Sequence, residues 1–313
     1  MTVQLRPIAL LLMATFVVFV LAPTAASSQT ARTPWGDPDL QGTWTNFDLG
    51  EGYSLEAPAP VGRRPARLLG GTGTCIPSSE PLPESNPEAA FFVIPDHLFE
   101  TARDTGKVRP SLISEPADGR LPPLTEAGDQ RIDSICQKVF ESHVYLDPWV
   151  RCLTRGIPAS TFPSLYNNAY QILQVPGYVV IRYEMIHDAR IIRLDDRSPT
   201  DSDIRLWMGD ARGHWDENTL VVETANFNDR SSIRGHAHSE HLTVTERFTR
   251  VGADGLDYEA IVDDPQTWVT PWTVAIGMTR FDEYAMYEYA CHEGNQSAMI
   301  GILRGARTEE RSR

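Results

Sequence analysis

Near the C-terminus, Cys291, His292 and Glu293 stand side by side in Tyr287–Asn295, YEYACHEGN. Three kinds of chemistry use those residue types: a metal site, a thiol nucleophile with its histidine base, or a disulfide end with two polar neighbours. A second cluster, HAHSEH, sets His236 and His238 two residues apart, on one face of an extended strand, with His241 following. Three imidazoles make many zinc sites, but the segment follows NDRSSIRG and reads as a soluble loop, so no metal is expected. His187 and Arg190 flank Asp188–Ala189 in EMIHDARII and would serve as an acid–base group beside a cation. SLYNNAYQI supplies Tyr166, Asn167, Asn168 and Gln171, and DPQTWVTPW supplies Trp268 and Trp272. Aromatic rings beside amides suit a small aromatic or carbohydrate-like ligand, and equally cap a barrel end without binding. No G-x-S-x-G, H-E-x-x-H, phosphate loop or dinucleotide fingerprint occurs, so nucleotide, flavin and other redox cofactors are not expected.

These residues sit in a chain with the marks of export. A short polar lead with Arg6, the apolar run Ile8–Ala22 and the small residues of Pro23–Gln29 form the three parts of a signal peptide, expected over 1–28. Cleavage after Ala26 or after Ser28 fits equally. Its removal takes Arg6 and no acid, leaving a chain one unit more negative than the formal −14. Nucleic acid and anionic membrane surfaces need a basic footprint, so neither is an expected partner; a small molecule is. Four cysteines, Cys75, Cys136, Cys152 and Cys291, fit two disulfides with three possible pairings in an oxidising compartment, either periplasmic or extracellular.

The elements that must position the candidates change character along the chain. Seventeen prolines lie between Gln29 and Pro163 and four beyond, so 29–150 reads as a Pro-rich region and 151–313 as a β domain. The exception in the first part is Leu124–Ser142. Thr125 can cap it, and Ile132, Ile135, Cys136, Val139 and Phe140 form one apolar stripe, predicting a helix near 125–141. The second part predicts about ten antiparallel strands with tight turns, from Tyr170 to Cys291, and a short helix in SAMIGILRGAR. A meander of that size exposes two sheet edges unless it closes, which favours a mainly β barrel over a β-sandwich. Gly42-Thr43-Trp44 resembles the G-x-W of the first strand in lipocalin-type barrels.

Two hairpins assign faces. With Asp188–Ala189 as the tip, His187 pairs with Arg190, Met185 with Ile192 and Glu184 with Arg193, placing His187 and Arg190 at the barrel mouth and Glu184 outside. With Glu217–Asn218 as the tip, Trp215 pairs with Leu220 inside and Arg212 with Glu223 outside. Read as an extended strand, YEYACHEGN points Cys291 with Tyr287 and Tyr289, and His292 the other way with Glu288. Cys291 and His292 then cannot share a metal or work as nucleophile and base.

Taken together, PDLQGTW, RCLTRGIP, YNNAYQILQ, EMIHDARII, WMGDARGHWDENTLVVETANF, ERFTR and YEYACHEGN resemble an uncharacterised family of exported bacterial proteins. The resemblance spans most of the chain and carries no activity or catalytic residues. It implies a Cys152–Cys291 disulfide, which leaves Cys75 for Cys136. The residues support two functions: an acid–base enzyme of lyase, isomerase or hydrolase type, or a binding protein using the same cavity. The enzyme would use His187, Arg190 and His292, with Tyr166 assisting. It requires His187, Arg190, His292 and Asp210 to converge.

Overall fold

A computed structural model describes residues 31–46, 55–56, 111–138, 141–164 and 166–312. The expected signal peptide, Cys75, Val139 and Phe140 lie outside them. The chain is mainly β, as the alternating pattern predicts. Its strands are β1 (Gly42–Thr45), β2 (Ile113–Glu115), β3 (Ala169–Val175), β4 (Tyr178–Tyr183), β5 (Ala189–Arg193) and β6 (Asp210–Asp216). They continue as β7 (Thr219–Ala225), β8 (Ser232–Ile233), β9 (His236–Ala237), β10 (Thr243–Val251), β11 (Gly255–Asp263) and β12 (Trp272–Arg280).

Nine of these strands close into a barrel in the order β1-β3-β4-β5-β6-β7-β10-β11-β12, with β1 returning to β12. Closure removes the free edges a meander would leave. The far edge of β12 is shared: Trp44 and Thr45 pair with Arg280 and Thr279 at one end, while β2 pairs near Thr273 and Val274 at the other. Pairs within the ring are antiparallel except β5 with β6, which run parallel and meet at Arg193 and Arg212 after a long connection. β8 and β9 form a separate small hairpin.

Alternation fills the interior. Val179, Ile181 and Tyr183 point inward from β4, and Leu256, Tyr258, Ala260 and Val262 from β11, around a Trp44 side chain that is fully buried. The β6–β7 hairpin has the expected register, Trp215 opposite Leu220 and Arg212 opposite Glu223, because Glu217 takes the positive φ its two-residue turn requires. The β4–β5 hairpin does not. Arg182 pairs with Ala189 and Ile181 with Arg190, and residues 184–188 form a loop with Ile186 and His187 at positive φ. That slip of an even number of residues leaves Ile181, Tyr183, Arg190 and Ile192 on the inner face but takes His187 out of the sheet.

The predicted helix is α1 (Glu126–Lys138), with the Thr125 hydroxyl accepting from the Gly128 amide at 3.0 Å. Ile132 is its buried anchor. Gly128 lets α1 press on the 264–268 loop, since a Cβ there would lie 2.6 Å from the Thr267 carbonyl oxygen. The C-terminal helix α2 (Asn295–Ser312) is longer than predicted. Two predicted strands are absent. Residues 204–208 make only an isolated bridge from Leu206 to Phe227, and 285–291 follow an irregular path. Both edges of β12 are already taken, so the last segment has no strand to join.

Candidate functional site

The interior of the barrel holds a polar cluster that alternation alone would assign to apolar side chains. β10 points Val244, Glu246 and Phe248 inward, and Glu246 is fully buried. Across the barrel Arg190 at the head of β5 is also buried, and its Nη2 lies 2.6 Å from Glu246 Oε2 and donates to Thr224 Oγ1 at 2.5 Å. The Tyr258 hydroxyl donates to Glu246 Oε1 at 2.9 Å. Burial works against the Arg190 charge, but the Glu246 carboxylate outweighs it and holds the guanidinium protonated. Burial, followed by the Glu246 charge, pushes the Tyr258 phenol well up, and burial does the same for Tyr183.

The cluster is only partly satisfied. Arg190 Nε and Nη1 are buried and make no hydrogen bond, although the guanidinium is a five-donor fork. The Trp272 indole nitrogen is buried without a partner too, and the Tyr183 hydroxyl lies against Arg190 and Thr161 without a well-formed bond to either. Register places Thr224, Val244, Val262 and Trp272 in one layer and Val222, Glu246, Ala260 and Val274 in the next. Orphaned donors thus sit in and beside the layers that carry the ion pair. Each buried donor left unmatched costs about 1–3 kcal/mol, so an acceptor placed among them would recover that cost.

The four residues required to converge are engaged separately. His187 is exposed on the β4–β5 loop, its Nδ1 2.7 Å from the Tyr289 carbonyl oxygen. Asp210 lies 3.6 Å from Arg193 and accepts from the Thr200 amide at 2.9 Å. His292 and Glu293 face solvent. Among the described residues no hydrogen bond or ion pair joins any two of His187, Arg190, His292 and Asp210, so only Arg190 belongs to the interior cluster. Tyr166 is half-exposed and stacks on Tyr289 at 6.1 Å, with the two hydroxyls 3.3 Å apart. Asn168 is buried and folds back on the backbone of Ser164, closing a turn. Trp268 and Trp272, expected on a ligand-facing loop, are core residues in edge-to-face contact at 5.5 Å. Glu184, expected outside, is buried at 1 % exposure and accepts from the Tyr284 hydroxyl at 3.0 Å and the Tyr287 amide at 2.8 Å. It is a clamp that fixes the C-terminal segment across the barrel end.

The Cys152–Cys291 disulfide is present, and Cys136 is disulfide-bonded. His236 and His238, expected on a soluble loop, are buried: Ser239 fastens their segment by donating its amide and hydroxyl to Asp264 at 2.6 and 2.7 Å. Burial, then the Arg234 charge, holds His236 down to about 4. Among the described residues no three His, Cys, Asp or Glu side chains gather as a metal would require. Glu246, Tyr258 and Thr224 were missed as site residues. The readable signal was Glu246 itself, standing in phase with Leu242, Val244 and Phe248.

No protein-family model matches the chain, and a comparison with curated proteins returns no match. Among solved structures, a secretary abundant heat soluble (SAHS) protein from Ramazzottius varieornatus is similar at 11% identity and a TM-score of 0.25, covering 40% of this chain and 78% of that one. A likeness that slight carries no argument, so the barrel rests on its own strand pairing.

Proposed function

We propose that the protein is an exported, non-catalytic binding protein that holds a small, largely apolar molecule inside the barrel, with an acceptor group of the ligand on Arg190. The observation that carries this is the buried Arg190 guanidinium, anchored through Nη2 while Nε and Nη1 have no partner. Aromatic side chains from Trp44, Tyr183, Phe248, Tyr258 and Trp272 line the same interior and favour a flat ligand body. Tyr183 and Trp272 add neutral donors for a carbonyl or carboxylate. Catalysis has no comparable support, because the imidazoles of His187 and His292 lie at the surface. Export is supported by the signal-like N-terminal residues, by the disulfide, and by motifs resembling an exported bacterial family. Among the described residues no helix is long and apolar enough to cross a membrane.

The test is a fluorescence titration with anilinonaphthalene sulfonate, a flat apolar body carrying one acid group. Wild type binds it saturably at one site, and a simultaneous Arg190→Met, Glu246→Met change weakens binding at least tenfold, about 1.4 kcal/mol, while leaving the protein folded. Replacing both partners avoids an uncompensated buried charge. Absence of saturable binding to folded wild type, or equal affinity in the variant, contradicts the proposal.

A further inference from the structure

A second polar set lies in the loops at the barrel end where β3 begins. Arg155 is 6 % exposed, lies over the Trp149 ring at 5.1 Å, and donates through Nη1 to the Phe162 carbonyl at 3.3 Å. Its Nη2 is buried and has no partner. The nearest acid in its surroundings, Asp147, is occupied by the Ser232 hydroxyl and the Trp149 amide, and makes no ion pair with Arg155. Burial pulls Arg155 below the usual arginine value.

The neighbouring segment brings further donors and charge. Gly156, at φ +73, packs so closely that a Cβ would sit 3.0 Å from both Ser231 Oγ and the Ser232 carbonyl oxygen. The Ser231 hydroxyl is itself buried without a partner. Arg234 follows three residues on; burial, then the charge of Arg155, brings it down to about 10. Arg151 and Arg230 lie over the Trp207 ring at 5.6 and 5.3 Å. Residues 151–155 and 230–234 therefore gather four arginines on a protein with a formal charge of −14. Tyr166, beside Arg155, is pushed up to about 12, chiefly by burial, and stays a neutral donor.

We propose that Arg155 and Ser231 bind a small oxyanion, a carboxylate or a tetrahedral phosphate or sulfate, with Arg234 adding positive field and the half-exposed Tyr166–Tyr289 pair beside it. A buried guanidinium with an unbonded Nη2, whose acid neighbour Asp147 is already engaged elsewhere, is costly, and a charge-assisted hydrogen bond from Nη2 to an oxyanion supplies the missing bond and further negative charge. The site is separate from the barrel ligand, since it shares no residue with the Arg190 cluster.

The experiment is calorimetric titration of the full chain with inorganic phosphate and, separately, with acetate, alongside Arg155→Met, Arg155→Lys and the part-exposed control Arg205→Met, which lies outside the cluster. Saturable binding of at least one anion is expected in wild type and Arg205→Met, weakened at least tenfold in Arg155→Met and partly restored in Arg155→Lys. Phosphate alone points to a tetrahedral anion and acetate alone to a carboxylate. If neither anion binds wild type, or the anion binds Arg155→Met or Arg155→Lys as tightly as wild type, the proposal is overturned. Should Arg155→Met fail to fold, Arg155→Lys decides, because it keeps the charge and loses the fork. Phosphate has no apolar body, so its binding stands or falls independently of the barrel reading.

Discussion

Among the residues, Arg190 and Glu246 form a buried ion pair that is too costly to explain as a stabiliser. Two charges taken from water lose several kcal/mol each, and apolar replacements of similar volume are often neutral or better. Arg190 and Glu246 are buried with side-chain exposures of 3% and 0%. Glu246→Ala should therefore destabilise the protein by about 3–5 kcal/mol in urea unfolding, because it strands the guanidinium. The Arg190→Met, Glu246→Met double change should cost much less. If the double variant loses as much as the single, the pair is structural and the functional reading weakens. The sequence carried half of this: the period of Leu242, Val244, Glu246 and Phe248 puts the carboxylate inside, but nothing local says that its partner is Arg190, 56 positions away. His187 was misplaced for a different reason, since a positive φ at Ile186 and His187 is unusual for such residues and leaves no mark in composition.

The strands, helices and segments show where local rules suffice and where tertiary competition wins. Helix α1 was legible because its Thr125 cap and its apolar stripe agree. The β6–β7 register was legible because a two-residue turn fixes it. The segment 285–291 has strand-like composition, yet β1 and β2 occupy the edge of β12 it would need. It is held instead at two points, by the Cys152–Cys291 disulfide and by the Glu184 carboxylate on the Tyr287 amide and the Tyr284 hydroxyl. In YEYACHEGN the cysteine is therefore a staple, and His292 and Glu293 are solvated neighbours. Glu184→Ala should speed hydrogen exchange at the Tyr287 amide at least tenfold while β10 and β11 keep their protection. Uniform loss of protection across the barrel would show that Glu184 supports the fold as a whole.

For the whole molecule, the need to avoid free edges determined the architecture. A long run of short strands with tight turns pointed to a closed sheet, and nine strands close, the last seam being two residue pairs between β1 and β12. The parallel β5–β6 contact was not legible, because it is a single residue pair, Arg193 with Arg212, set by the irregular 194–209 connection rather than by a tight turn. Closure gives the chain an interior, and the proposed binding role rests on the polar cluster that stands there among aromatic rings. The most direct test is a crystal structure of the complex with anilinonaphthalene sulfonate. The ring system should lie within the barrel, with a sulfonate oxygen about 3 Å from Arg190 Nε or Nη1. A probe bound only on the outer surface, with the Arg190 donors still unengaged, would contradict it.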